Sequence, residues 1–274
     1  IKRNFYTKRN MQNKEISSLA NPELKFLISL KKNKLRRQEQ KSLAEGYREN
    51  LQLISSNYQI DTLYICREFF IGENNQELIE KFKNKNVRIV DLTSKTFKAI
   101  SYRDRPDGMI SLFKVKTQNI DNKDLSGPIL IADSIEKPGN LGTMIRTARS
   151  FDITNIISSD GVTDFFNPNV IRSSIGHIFN INIFSEKSEK IISNLQRLNY
   201  EIISLDPDSA KSIKSYKPKK NYALVIGSEQ YGISKIWKDN ASQVLKIDTE
   251  NKVDSLNASG AAAIAMWEFY KINE

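Results

Sequence analysis

Five polar residues, far apart along the chain, stand in three segments at expected strand ends: Asn140, Arg146, Glu229, Ser255 and Asn257. Asn140 and Arg146 lie in "EKPGNLGTMIRTARS", residues 136–150, just after the apolar run "PILIA". Pro138 and Gly139 force a turn, and Gly142 permits close backbone approach. Arg146 is expected one turn into the following helix, where it can share a face with the turn. An amide and a guanidinium together hold a polar, partly anionic group through directional donors. Glu229 lies in "ALVIGSEQYGIS", where a strand gives way to a helix and the helix dipole favours a carboxylate. It could equally accept from a ribose hydroxyl or pair with Arg146. Ser255 and Asn257 flank Leu256 ahead of a run of small residues, Ala258 to Ala263, that lets a helix approach another backbone closely. Taken singly, each segment is as well explained by ordinary structure: a helix start with a paired arginine, a helix-start charge, an alanine-rich core helix.

The elements that must position these residues are legible from pattern. "DTLYIC" and "VRIV" read as strands, and "NQELIEKFK" and "SKTFKAI" as helices. "NPELKFLISLKK" starts a helix with Asn21 as N-cap and Pro22 at the first helical position. This makes a small α/β domain over 16–115, behind a basic tail at 1–15. "KTQNIDNKDLSG", residues 116–127, is polar and aperiodic and is expected as a linker. Over 128–274 strands and helices alternate again: "PILIA", "NIISS", "EKIISNLQRL", "EIISL", "YALVIG", "QVLKI" and a long closing helix. Repeated βα units imply an α/β fold with a mostly parallel sheet, whose ligands bind outside the carboxyl ends of the strands.

The chain has 274 residues and a net charge of +10. Residues 1–115 hold 23 Lys+Arg against 13 Asp+Glu, whereas residues 116–274 hold 19 of each, so the whole excess sits in the first part. A basic first domain beside a neutral second one is the footprint of a polyanion grip, with RNA or DNA as partner. The alternative is a solubilising surface. Lys34, Arg36, Arg37, Tyr102, Arg103 and Arg105 are the candidate nucleic-acid contacts. One cysteine, Cys66, excludes an internal disulfide framework and fits a reducing, cytoplasmic compartment. With a single histidine, His177, no zinc site is expected, and no metal cluster stands out. No apolar run reaches the ~18 residues of a membrane span, and the basic start lacks the apolar stretch of a signal peptide. The sequence opens without methionine, so the residues before Met11 read as a trimmed start or as an extension, native or added. The glycine pattern is neither GxGxxG nor GxxxxGK[ST], which argues against a dinucleotide enzyme.

In order and spacing, "IEKPGNLGTMIRTA", "NPNVIRSSIGHIF", "LVIGSEQYGIS" and "VDSLNASGAAAIAMWE" resemble the SPOUT superfamily of RNA methyltransferases, in its TrmH-like ribose 2′-O-methyltransferase branch. "NPELKFL", "KNKLRRQEQKSLAEG" and "SYRDRPDGMI" are similar to the small RNA-binding domain, resembling a ribosomal protein fold, that many relatives carry. The resemblance implies a trefoil-knot domain that binds S-adenosylmethionine, with Gly227, Ile247 and Leu256 presenting backbone groups to it. It implies an active site of Asn140, Arg146, Glu229, Ser255 and Asn257. Arg146 would help deprotonate or orient the 2′-hydroxyl and bind its phosphate, with Asn140 and Asn257 fixing Arg146 and the ribose and Glu229 orienting one of them. Arg172, with Ser173 and Ser174, would face the substrate phosphate, and His177 would be structural or at an interface. A homodimer through the knot domain is also implied. Ser228 and Gln230 depart from the family's usual Asn and Gly, and "KIDT" stands where relatives carry an Ile-Pro-Met-like run. The implied activity is 2′-O-methylation of structured RNA, ribosomal rather than transfer RNA because of the extra domain. A tRNA enzyme and a catalytically silent RNA-binding or ribosome-assembly factor are the alternatives.

Overall fold

The structure is a computed structural model that describes residues 15–273, apart from 117, 119, 123–124, 162, 215 and 251–254. The basic tail therefore lies outside the described residues except for Glu15, as do Val253 and Asp254 of the third motif. The chain divides into two compact units, one of residues 1–54 and 58–114, the other of 55–57 and 115–274.

The first unit runs α1 (Pro22–Ser29), α2 (Asn33–Glu39), β1 (Lys41–Glu45), α3 (Tyr47–Ile54), β2 (Ile60–Ile65), α4 (Asn75–Asn84), β3 (Arg88–Asp91), α5 (Ser94–Ile100) and β4 (Met109–Lys114). Its sheet has the order β1-β4-β2-β3, with β4 antiparallel to both neighbours and β2 parallel to β3. Helix α1 starts as its sequence dictates: the Asn21 side chain accepts from the Glu23 N–H at 2.8 Å and Pro22 occupies the first turn. The basic stretch "NKLRRQE" forms α2, with Arg36 turned inward. Helices cover both sheet faces, one packed around Leu24, Tyr64, Phe97 and Ile110, the other around Leu63, Phe82 and Met109.

The second unit runs β5 (Ile129–Asp133), α6 (Pro138–Ser150), β6 (Asn155–Ser159), α7 (Pro168–Ser173), β7 (Asn182–Glu186), α8 (Ser188–Arg197), β8 (Glu201–Leu205), β9 (Tyr222–Ile226), α9 (Lys235–Asp239), β10 (Gln243–Leu245) and α10 (Ala258–Asn273). Its six strands are ordered β10-β8-β9-β5-β6-β7 and every pairing is parallel. The mostly parallel α/β sheet expected from the repeated βα units is therefore present. Strand β7 was not legible, because "NIFSE" sits on the sheet edge and is only partly apolar. The segment expected as a polar linker sends Ile120 and Leu125 into the core of this unit, beside Trp237 and Phe184. Among the described residues no helix is long and apolar enough to cross a membrane.

Candidate active site

The carboxyl ends of β5 and β9 and the start of α10 bring three motifs together. Helix α6 begins directly at Pro138, so Asn140 lies within its first turn and not in a preceding loop. Arg146 is six residues further on, about 240° around the helix from Asn140. Arg146, four residues after Gly142 and seven after Gly139, shares a helical face with those residues of the opening turn, whereas Asn140 is on another side. Gly142 lies where α6 meets α7; a Cβ there would come within 2.6 Å of the Val170 carbonyl oxygen and the Ser173 Cβ.

Strand β9 ends in a turn that the sequence closes tightly. The Ser228 and Gly232 main chains exchange hydrogen bonds of 3.1 and 2.9 Å, and the Tyr231 N–H donates to Ser228 Oγ at 3.2 Å. Gly232 takes φ +66, and a Cβ on Gly227 would lie 2.2 Å from the Gly232 carbonyl, so neither position accommodates a side chain without strain. Ser228, one of the two departures, thus serves as the internal acceptor of its own turn. Glu229 follows it and turns toward α6.

Asn257 caps α10, its Oδ1 accepting from the Ser259 N–H at 3.0 Å and the Ser259 hydroxyl at 2.6 Å. Its Nδ2 donates to Asn140 Oδ1 at 3.2 Å, and Asn140 Nδ2 donates in turn to Glu229 Oε1. One relay, Asn257 to Asn140 to Glu229, thus links the starts of two helices to the β9 turn. Arg146 is outside it: among the described residues its exposed guanidinium has no hydrogen bond or ion pair, so the asparagines hold Glu229 rather than Arg146. Burial, and then the charges of Arg146 and Arg149, lower the pKa of His177 below 6.5.

Glu229 and Ser255 line a cavity of about 650 Å³, together with Gly227, Ile247 and Leu256. Small residues of α10, Ala258 and Ala261, close one wall, and Asp206, which ion-pairs with Lys238 at 2.5 Å, stands on another. Burial opposes ionisation of Asp206, but Lys238 and the Asp208 N–H outweigh it and hold this carboxyl below the usual carboxylate range. Among the described residues the main-chain groups of Ile247 have no hydrogen-bond partner. The cavity's volume is that of a site for a nucleoside-sized molecule, and its backbone donors, small walls and carboxylates suit an adenosyl group carrying a cationic sulfonium and an amino end. Among the described residues no three His, Cys, Asp or Glu side chains come together as a metal site.

Pattern reading missed Asp133 and Asp206. Asp133 is 1% exposed at the end of β5 and accepts from the Ser234 N–H at 2.8 Å, tying β5 to the start of α9; burial raises its pKa. The signal for it was the single acid closing the apolar run "PILIAD".

The candidate RNA contacts divide by burial. Lys34, Arg37, Arg105 and Arg172 are exposed. Arg36 is 3% exposed, and its Nη1 donates to the Leu30 and Lys31 carbonyls at 2.9 and 3.0 Å, closing the end of α1. Arg103 donates to Glu49 at 2.7 Å and to the Glu45 carbonyl at 3.0 Å, and pairs with Asp107 at 3.3 Å. Arg36 is thus corrected to an internal structural residue, and the partly exposed Arg103 is engaged by Glu49, Asp107 and the Glu45 carbonyl; charge counting does not tell a free surface arginine from one that satisfies neighbouring carbonyls and carboxylates. Tyr102 is half-buried, its hydroxyl donating to the Leu30 carbonyl at 3.3 Å, with the Lys31 ammonium 5.3 Å from its ring centre.

Residues 127–267 match the SpoU rRNA methylase family, and residues 21–111 match an MRM3-like substrate-binding domain. The chain belongs to the SpoU rRNA methylase family. It is 22% identical over 254 residues to the 23S rRNA (guanosine(2553)-2'-O)-methyltransferase RlmP of Bacillus subtilis, covering 93% of this chain and 98% of that protein. It is 28% identical over 215 residues to an uncharacterized tRNA/rRNA methyltransferase of Borreliella burgdorferi, covering 70% and 91% of the two chains. An AdoMet-bound rRNA methyltransferase structure from Sinorhizobium meliloti has the same fold, with a TM-score of 0.84 at 24% identity over 94% of this chain and 98% of that one. The SpoU match spans the three motifs and the cavity they enclose.

Proposed function

We propose that this protein transfers a methyl group from S-adenosylmethionine to a ribose 2′-hydroxyl of ribosomal RNA. The observation that carries this reading is the Asn257–Asn140–Glu229 relay at the rim of a cavity lined by Gly227, Ile247 and Leu256. Cytoplasmic location accords with that substrate, and the relative from Bacillus subtilis carries the same activity in its name.

Gly227, Ile247 and Leu256 would hold the cofactor, which when bound supplies an activated methyl on a sulfonium. Everything else is positioning. Glu229, fixed by Asn140 and lining the cavity, accepts from a ribose hydroxyl and sets its angle, and the proton released on methylation leaves along that hydrogen bond. Arg146, exposed on α6, holds the adjoining phosphate by charge-assisted hydrogen bonds. A guanidinium is a poor proton acceptor, so its contribution is orientation of the acceptor rather than proton removal. Holding the acceptor oxygen in line accounts for much of such an acceleration. Lys34, Arg37 and Arg105 grip RNA phosphates in the first unit, and Arg172 does so in the second.

A homodimer through the second unit is part of the proposal. Its support is the aromatic face of α10, where Trp267 is 50% and Tyr270 38% exposed, with their rings packed beside Phe151. A trefoil knot is supported by the meeting of the 227–232 turn, the segment after β10 and the start of α10 around one cavity. The test is Arg146→Ala: methyl transfer to rRNA should fall about 100-fold or more, while S-adenosylmethionine affinity stays within about twofold. Loss of cofactor binding instead would contradict the division of roles.

A further inference from the structure

The segment that follows β10 forms one wall of the cavity, and an independent piece of chain holds it. Residues 209–214, between β8 and β9, run alongside it and meet it in an isolated parallel bridge between Ser212 and Lys246. The Lys246 N–H donates to the Lys211 carbonyl and the Ile213 N–H to the Lys246 carbonyl, both at 2.8 Å. Ser209 Oγ donates to the Val244 carbonyl at 2.7 Å, and Lys211 Nζ to Gln243 at 2.9 Å. Beyond Ile247, the Asp248 carboxylate accepts from Ser212 Oγ at 2.5 Å, with the Lys214 ammonium at 3.6 Å. Both neighbours of Ile247 are therefore fastened around Ser212: Lys246 through the main chain, Asp248 through its side chain. Ile247 itself keeps main-chain groups with no partner among the described residues. Exposed ion pairs of this kind add little to global stability, so an arrangement that fixes a residue on both sides has its effect locally.

We propose that Asp248, which with Ile247 lines the cavity, is a positioning residue for the cofactor: clamped by Ser212, it presets the backbone at Ile247. The inference rests on the cofactor reading above. Ordering a backbone before the ligand arrives removes that cost from binding. Releasing one residue is worth about a tenfold loss of affinity.

Calorimetric titration of S-adenosylmethionine into the full chain, without RNA, tests this. Asp248→Ala should weaken binding about tenfold and leave the thermal midpoint of the ligand-free protein unchanged. Ser212→Ala should weaken it in the same direction, and the double variant should be no worse than Asp248→Ala alone, because both remove the same hydrogen bond. Asp248→Pro should recover most of the lost affinity, since the Asp248 N–H has no partner among the described residues and the ring restrains the backbone without the side-chain hydrogen bond. Hydrogen exchange on the ligand-free protein should be faster in Asp248→Ala at Lys246 and Ile213, whose N–H groups bond across the bridge. Wild-type protein that takes no S-adenosylmethionine would overturn the cofactor reading and this use of the clamp with it. Wild-type binding with an unchanged constant in Asp248→Ala, or an additive effect with Ser212→Ala, would overturn the clamp alone.

Discussion

Glu229 is defined by what holds it. One of its oxygens takes the Asn140 amide, which is itself tied to Asn257, so the carboxylate is oriented before any substrate arrives. Asn140→Ala should therefore lower the rate of methyl transfer about tenfold to 100-fold, with little change in cofactor affinity; a change confined to affinity would contradict this. Arg103 is the opposite case, an arginine of a basic domain whose work is internal. Arg103→Ala leaves Glu49 and Asp107 without their cation and should cost about 3 kcal/mol in urea unfolding. His177 gives a pH dependence. Burial, then Arg146 and Arg149, lower its folded pKa below 6.5, so below that pH the unfolded chain takes up the proton more readily. Stability present above pH 6.5 should be lost as the pH falls through the folded pKa. Comparing urea midpoints at neutral and acidic pH, His177→Gln should lose less than wild type; equal losses would contradict this assignment.

Elements set where those residues stand, and here sequence and structure part company at identifiable places. The parallel sheet of the second unit was legible because its strands are short apolar runs separated by amphipathic helices, as in "PILIA" and "YALVIG". Strand β7 was hidden by edge polarity, and the start of α6 by a Pro-Gly pair that reads as a turn yet opens a helix. The five site residues could be named, but not the order of their contacts. Nothing in the spacing of Asn140, Glu229 and Asn257 says that the asparagines bind the acid rather than the arginine; that is a property of three elements meeting. Asp248 and Ser212 were not legible as partners at all, since 36 residues separate them and both lie in loops. Two glycines test the element packing. Gly142→Ala would place a methyl 2.6 Å from the Val170 carbonyl between α6 and α7, and Gly227→Ala one 2.2 Å from that of Gly232. The first should lower thermal stability by about 1–3 kcal/mol. The second should abolish cofactor binding; a Gly227→Ala protein with normal affinity would show that the turn is not part of the cofactor wall.

At the scale of the whole molecule, the charge asymmetry and the neutral catalytic unit divide recognition from chemistry. Charge reversal at Lys34, Arg37 or Arg105 should weaken RNA binding across sequences. It should also reduce the salt dependence by about 0.7–0.9 of a log unit for each phosphate no longer neutralised. Cofactor affinity should not change. The aromatic face of α10 should mediate dimerisation, so Trp267→Glu should shift the sedimenting species from dimer to monomer. The methyl acceptor is a ribose 2′-hydroxyl of ribosomal RNA in the function proposed above. Incubation of the protein with unmodified ribosomal RNA and methyl-labelled S-adenosylmethionine, followed by nucleoside analysis of the product, tests it directly. Label is expected in a single 2′-O-methylated ribonucleoside. Label in a base, or RNA binding with no transfer at all, would contradict it.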